Sequence, residues 1–154
     1  MNKLTRVIRS PFPKFMALTV AIGFFLNEFW EMAQMAAYVE TTGQPWTKTL
    51  ALCTPAAFGD VVILLGLYSI AALASADPTW GLRGKWNQYL TTILMGLGVA
   101  ALIEHAALST GRWSYNSDMP VVPYLGAGFW PLLQMAVLPP TTFWLAKHWT
   151  VREN

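Results

Sequence analysis

Four of the eight acidic residues in this 154-residue chain, Glu28, Glu31, Asp60 and Glu104, fall inside long apolar runs that contain no Lys or Arg to neutralise them. A carboxylate at bilayer depth costs roughly 2.5–3.5 kcal/mol on insertion scales. Four such residues restrict the fold, because the runs must pack so that the acids face a common polar interior instead of lipid. An intramembrane site is the direct reading.

The chain is 55% hydrophobic and only 12% charged, where soluble domains average about 25% charged. That balance excludes an ordinary soluble domain and predicts a polytopic membrane protein. Runs of about 20 apolar residues mark membrane helices, and here they fall at 15–38, 50–75, 88–109 and 127–147. Thr41 to Pro45, Ala76-Asp77-Pro78 with Gly81 to Lys85, and Thr110-Gly111 separate them with turn-forming residues. The expected fold is all-α: a four-transmembrane-helix bundle forming one domain over residues 1–154. The basic start of the first run resembles a signal peptide, but Asn27, Glu28 and Glu31 interrupt its apolar stretch, so it is read as the first helix.

Cytoplasmic flanks retain Lys and Arg. Lys3, Arg6, Arg9 and Lys14 precede the first run, Arg83 and Lys85 lie between the second and third, and Lys147 and Arg152 end the fourth; only Lys48 and Arg112 lie on the other side. The pattern predicts cytoplasmic N- and C-termini, with a bacterial inner membrane as the expected location. Trp46, Trp86, Trp113, Tyr115 and Trp149 fall near the predicted helix ends, as interfacial aromatics do. The net charge of +2 comes from the basic flanks and gives no case for nucleic-acid binding. Cys53 is the single cysteine, which leaves no intramolecular disulfide and suits a small packing residue.

At 100° per residue, Asn27, Glu31 and Gln34 share one stripe of the first helix and Glu28 lies on its flank, all within about 120° of arc. Phe25, Phe29, Trp30 and Met32 are left for lipid or apolar neighbours. With the orientation above, these residues, Asp60, Glu104, His105 and Gln134 all fall in the outer half of the membrane. The amides Asn27, Gln34 and Gln134 alone would read as interhelical glue. The carboxylates point further, because an amide supplies glue at lower cost. Desolvation and mutual repulsion should keep at least one of them protonated and able to donate a proton. His105 is expected either as an ion-pair partner of a neighbouring carboxylate, as a proton shuttle or as a metal ligand.

The segment from Thr110 to Pro120 is rich in polar and aromatic residues and is expected to cover the outer mouth of the pocket, with Arg112 available to Glu104, Asp118 or an anionic head group. Pro139 and Pro140 should kink the fourth helix and free carbonyls toward a cavity, whereas Pro55 is expected in the first turn of the second helix, where it is tolerated.

Glu104 at a helix end, Thr110-Gly111-Arg112-Trp113-Ser114-Tyr115, a Pro-rich loop and Pro131-Leu132-Leu133-Gln134 together resemble the pattern of small integral-membrane lycopene cyclases and related carotenoid hydratases. The resemblance spans about residues 104–134 and carries over Glu104, Trp113, Tyr115 and Pro131. Where that family has paired acids this chain has Gln134 and Met135, so the proton donor would have to come from Glu28 or Glu31. The resemblance implies a polyprenoid-binding membrane fold of the kind used in carotenoid biosynthesis.

The leading expectation is an enzyme that handles an isoprenoid or related membrane lipid by acid/base chemistry, as a cyclase, isomerase or hydratase. Glu31 would be the acid and Glu104 the base or orienter, with Asp60, Glu28 or His105 in support. Asn27, Gln34, Trp30, Trp113, Tyr115 and Gln134 would bind substrate, and Phe129 would join the aromatics in stabilising cationic character. No cofactor is required. A variant places Mn, Fe or Zn among Glu28, Glu31, Asp60, Glu104 and His105. The alternative is a non-catalytic small subunit or a lipid- or pigment-binding protein, acting as a homo-oligomer or within a larger membrane complex. Ion transport is disfavoured, because no acidic relay continues toward the cytoplasm.

Overall fold

The computed structural model describes residues 11–152 and is all-helical. Lys3, Arg6 and Arg9, on which part of the orientation argument stands, lie outside the described residues. Helix α1 spans Phe12–Gln34, α2 Trp46–Ser75, the one-turn α3 Trp80–Arg83, α4 Trp86–Ser109 and α5 Phe129–Arg152.

Prolines set several of these boundaries. Pro11 and Pro13 open α1, where the missing N–H would be unpaired in any case. Pro45, extended at ψ 145°, precedes α2, and its carbonyl accepts from Lys48 and Thr49 at 2.9 and 3.2 Å. Because α2 starts at Trp46, Pro55 lies in the helix interior and not in the first turn as expected. It deprives the Ala51 carbonyl of its usual donor.

Helix α1 ends earlier than the predicted 15–38. After Gln34 the chain tightens into two 3-10 turns, Met35–Ala37 and Val39–Thr41. Helix α5 runs past the predicted residue 147 to Arg152 and continues through Pro139 and Pro140. Pro139 provides no N–H for Met135, and that carbonyl packs against Gly96 of α4, where an added Cβ would lie 2.7 Å from the oxygen. The carbonyl expected to open toward a cavity is therefore spent on close contact between two helices.

Three segments, Phe12–Ala37, Trp46–Ser75 and Trp86–Ser109, are long and apolar enough to cross a membrane, which marks this as a membrane protein. Helix α5 is as long as α4 but less apolar, carrying Gln134, Thr141, Thr142, Lys147 and His148. The long helices pack in a ring: α1 lies against α2 and α5, and α5 against α4. The contact between α4 and α2 that completes the ring is shorter.

One end of the bundle is filled by an aromatic core. The Trp80 indole is fully buried, stacks on Tyr68 at 4.9 Å and meets Phe143 edge-on at 5.3 Å, while its Nε1 donates to the Tyr68 carbonyl at 3.1 Å. Gly81 lets Phe15 press against α3, since a Cβ there would lie 2.4 Å from the Phe15 ring. Asp77 holds the turn before α3 by accepting from the Thr79 backbone and hydroxyl at 3.0 and 2.9 Å, and by pairing with Arg83 at 3.2 Å.

At the opposite end, the segment after α1 and the loop after α4 are strapped together. Val39 donates to Ser114 and Asn116 to Ala37, at 3.0 and 3.1 Å, around an isolated antiparallel bridge between Tyr38 and Tyr115. Tyr38 and Met119 are buried in the small core beneath this strap.

Candidate functional site

Each long helix contributes a polar side chain to the bundle interior near the strapped end. On α1, Asn27, Glu31 and Gln34 are all buried on the face that periodicity assigned to them. Asn27 is anchored by donating to the Gly23 carbonyl at 2.7 Å. Gln134 of α5 is 2% exposed and sits at the centre of the network. Its Nε2 lies 3.0 Å from Asn27 Oδ1, 3.1 Å from Glu31 Oε1 and 2.9 Å from Asp60 Oδ2. An amide nitrogen has two hydrogens, so three acceptors compete for two donors and at least one bond is shared. Gln34 adds a donor to Glu31 Oε1 at 2.8 Å and lies 3.3 Å from Gln134 Oε1.

The Glu31 and Asp60 carboxyls are thus neighbours, each with an oxygen on the same Gln134 nitrogen. Among the described residues no Lys or Arg takes part in this network, and the carboxyl oxygens are met by the amides of Gln34 and Gln134.

Glu104 of α4 is 3% exposed. The Tyr115 hydroxyl donates to Glu104 Oε2, and the Trp113 indole N–H lies 3.4 Å from the same oxygen. Tyr115 is itself fixed by the Gly128 N–H, which donates to its hydroxyl at 2.8 Å, and a larger residue at 128 would crowd that oxygen. Burial, followed by the hydrogen bond to Glu104, pushes the Tyr115 phenol above its ordinary range and keeps it a donor. Burial does the same to Tyr38, whose ring packs edge-on against Trp113 and Tyr115.

These two polar groups flank a cavity of about 610 Å³, within the size range of small-molecule sites. Glu31, Asp60, Glu104, Gln34 and Gln134 line it, together with apolar residues of α2, α4 and α5. Trp113, Arg112, Tyr38 and Glu40 border it on the strap side. Arg112 stacks over Trp113, 5.4 Å from the ring centroid. Glu40 accepts from Ser114 at 3.1 Å.

Several expectations need correction. Glu28 does not join the shared pocket: it faces α2, where Thr54 donates to its Oε1 at 3.0 Å while its Oε2 is buried without a partner. His105 is exposed and lies outside the cavity lining, one residue and about 100° of helix away from Glu104. Of the five residues named as a metal set, Glu31, Asp60 and Glu104 line the cavity and Glu28 and His105 lie outside its lining. Trp30, assigned to lipid or apolar neighbours, lies with its Nε1 3.2 Å from Gln34 Oε1. Asn27, Trp30 and Tyr115 act on the cavity only through the residues that line it, and Phe129 is 40% exposed and outside the lining. Cys53 is buried, as its small size suggested.

Tyr38 and Glu40 were not anticipated. Both follow the end of α1 in the 3-10 turns, beyond the reach of a helical-face argument. The spacing of Tyr38, Thr41 and Thr42 before Pro45 was the available signal, since both threonines hydrogen-bond to the Tyr38 carbonyl and fold the turn back over the site.

No protein-family model matches this chain, and no curated protein or solved structure matches it either.

Proposed function

We propose that this protein is an integral-membrane enzyme that moves protons on an isoprenoid or related lipid held in the cavity. In this reading α1, α2, α4 and α5 all span the bilayer, both termini are cytoplasmic, and the strapped end is the outer one. The single observation that carries the proposal is that Gln134 holds Glu31 and Asp60 on one amide nitrogen at the wall of a largely apolar cavity that Glu104 also lines.

Two carboxyls gathered on one amide in a largely apolar wall repel each other when both are ionised, and the reading assigns one proton to the pair. The proton-bearing carboxyl of the pair protonates an alkene carbon: a C–H bond forms, the π bond breaks and the adjacent carbon becomes cationic. Trp113, at the edge of the cavity, offers an aromatic face to that charge. Glu104, oriented by Tyr115, then takes a proton from a neighbouring carbon and the alkene re-forms. Isomerisation and cyclisation both balance without a further reactant, whereas hydration consumes a water. The similarity of residues 104–134 to lycopene cyclases and carotenoid hydratases supports the same substrate class. The reading assigns the chemistry to carboxyl groups and invokes no metal.

Glu31→Gln keeps the size and hydrogen-bonding capacity of the side chain but removes its acid. The expected result is a folded, membrane-inserted protein whose turnover of an isoprenoid substrate falls by at least about 100-fold. Turnover at the wild-type rate would remove Glu31 from the mechanism. A variant that loses a partner protein on size-exclusion chromatography while leaving isoprenoids untouched would favour the assembly-subunit alternative.

A further inference from the structure

The cavity wall formed by α2 is built from one helical face, Leu52, Pro55, Ala56, Gly59, Asp60 and Ile63, spaced at intervals of three and four residues. Between Leu52 and Ile63 every apolar member of this face is small. Across the gap, α4 presents Ala100, Ile103 and Glu104. This is the short side of the helix ring, and its side chains do not fill it.

Two glycines of the long helices, Gly23 and Gly96, serve the opposite purpose, and of the three whose added Cβ would meet nothing, Gly59, Gly66 and Gly98, only Gly59 lines the cavity. A Cβ at Gly23 would meet Leu64 at 2.5 Å and one at Gly96 would meet Met135 O at 2.7 Å, so both are required by helix contact. A Cβ at Gly59 meets nothing within 4 Å. No neighbour requires glycine there, yet the residue lies beside Asp60 on the cavity wall. The flanks of the gap are apolar and face outward: Leu52 is 49% exposed, Ile103 37% and Leu102 72%. All belong to segments long and apolar enough to cross a membrane, so the opening meets the hydrocarbon of the bilayer instead of water.

We propose that the cavity is loaded sideways from the bilayer through the seam between α2 and α4, and that Gly59 sets the bulk of hydrocarbon chain that reaches the carboxyls. This rests on the reading of the cavity as a lipid site and adds its entry route and its selectivity. The occupant is a slender hydrocarbon chain already dissolved in the membrane. It passes Leu52 and Ile103 at the rim and lies along Ala56 and Gly59, with its reacting segment beside Asp60. A Cβ at position 59 meets no protein atom, so a longer side chain there starts into that path unobstructed.

The test uses the full-length protein in lipid nanodiscs and a photoactivatable diazirine derivative of geranylgeraniol as probe. Wild type and Gly59→Ala are expected to label on peptides of α2 and α4, and Gly59→Leu to label about tenfold less, in line with the selectivity that a few methylenes impose on an apolar pocket. A Gly59→Cys variant capped with N-ethylmaleimide after purification introduces the same block into an already folded protein. Buried Cys53 is shielded from the reagent. Capped Gly59→Cys should match Gly59→Leu, and the uncapped form should match wild type.

Equal labelling of wild type, Gly59→Leu and capped Gly59→Cys would overturn the route, as would wild-type labelling absent from α2 and α4. The enzyme reading fails separately. Glu31→Gln should label as wild type while losing turnover, so a seam that blocks on schedule in a protein whose Glu31→Gln form retains turnover would leave the portal standing and refute the acid.

Discussion

Gln134 shows how much one neutral side chain can organise in a low-dielectric interior. It supplies hydrogens to Asn27, Glu31 and Asp60, which come from two other helices. Gln134→Leu preserves volume but takes this donor from Asn27 Oδ1 and Asp60 Oδ2 and leaves Glu31 Oε1 with Gln34 alone. Interhelical hydrogen bonds in membranes average about 0.6 kcal/mol with a maximum near 1.7, so the expected loss is about 1–2 kcal/mol, read as a lower midpoint in denaturation from mixed micelles. An unchanged midpoint would show that the amide does not support the carboxyl pair. Helical periodicity made the buried face of α1 legible, because Asn27, Glu31 and Gln34 repeat at four and three residues. It could not show which neighbour each side chain would meet. Glu28, only a fraction of a turn away, faces Thr54 on α2, and His105 is carried past the bundle interior by the rotation that brings Glu104 into it. Rotation of one helix against another is fixed by packing between segments distant in sequence.

The same distinction holds for whole elements. The existence and approximate extent of the long helices were legible from the apolar runs, and the errors fell where local hydrogen bonding decides a boundary. The α1 terminus tightens into 3-10 turns, and Pro55 became internal once α2 began immediately after Pro45. The contact of Gly96 with the Met135 carbonyl makes α4 and α5 sensitive to a single methyl group. Gly96→Ala forces a Cβ within 2.7 Å of that backbone oxygen, and the resulting overpacking should cost about 1–3 kcal/mol. Gly59→Ala meets no atom and should leave the midpoint unchanged, so comparing the two in the same denaturation assay tests whether close helix approach is the cause.

The turn before α3 gives a pH-dependent element outside the membrane spans. Hydrogen bonds from Thr79 and the Arg83 charge hold the Asp77 carboxyl below its ordinary range. A carboxyl depressed on folding stabilises the fold above its unfolded value, and that contribution is lost as pH falls through the depressed folded value. Stability should therefore drop on acidification below the normal carboxylate range by more in wild type than in Asp77→Asn. Parallel pH profiles for the two proteins would remove Asp77 as the cause.

At the scale of the molecule, the two ends of the bundle do different work. Aromatic packing of Trp80, Tyr68 and Phe143 consolidates one end, and the polar network, cavity and strap occupy the other. The convergence of polar residues at one end was legible because up-and-down helices bring residues 27–34, 60, 104 and 134 to a common level. The open side of the ring was not, since it depends on which helices fail to fill the space between them. Basic flanks predict that the end carrying Lys85 is cytoplasmic and the end carrying Ser117 is external. In intact cells, a membrane-impermeant thiol reagent should label Ser117→Cys and spare Lys85→Cys; the reverse pattern would invert the topology and place the site on the cytoplasmic side.

The central claim is that the cavity holds a membrane-derived hydrocarbon beside the carboxyl pair, and native mass spectrometry of the wild-type protein released from mild detergent tests it most directly. The account predicts a monomer or homo-oligomer that retains a noncovalent adduct of isoprenoid mass, lost when Gly59 is replaced by Leu. A chain that flies bare under every mild condition, or appears only in complex with a larger protein, would contradict it.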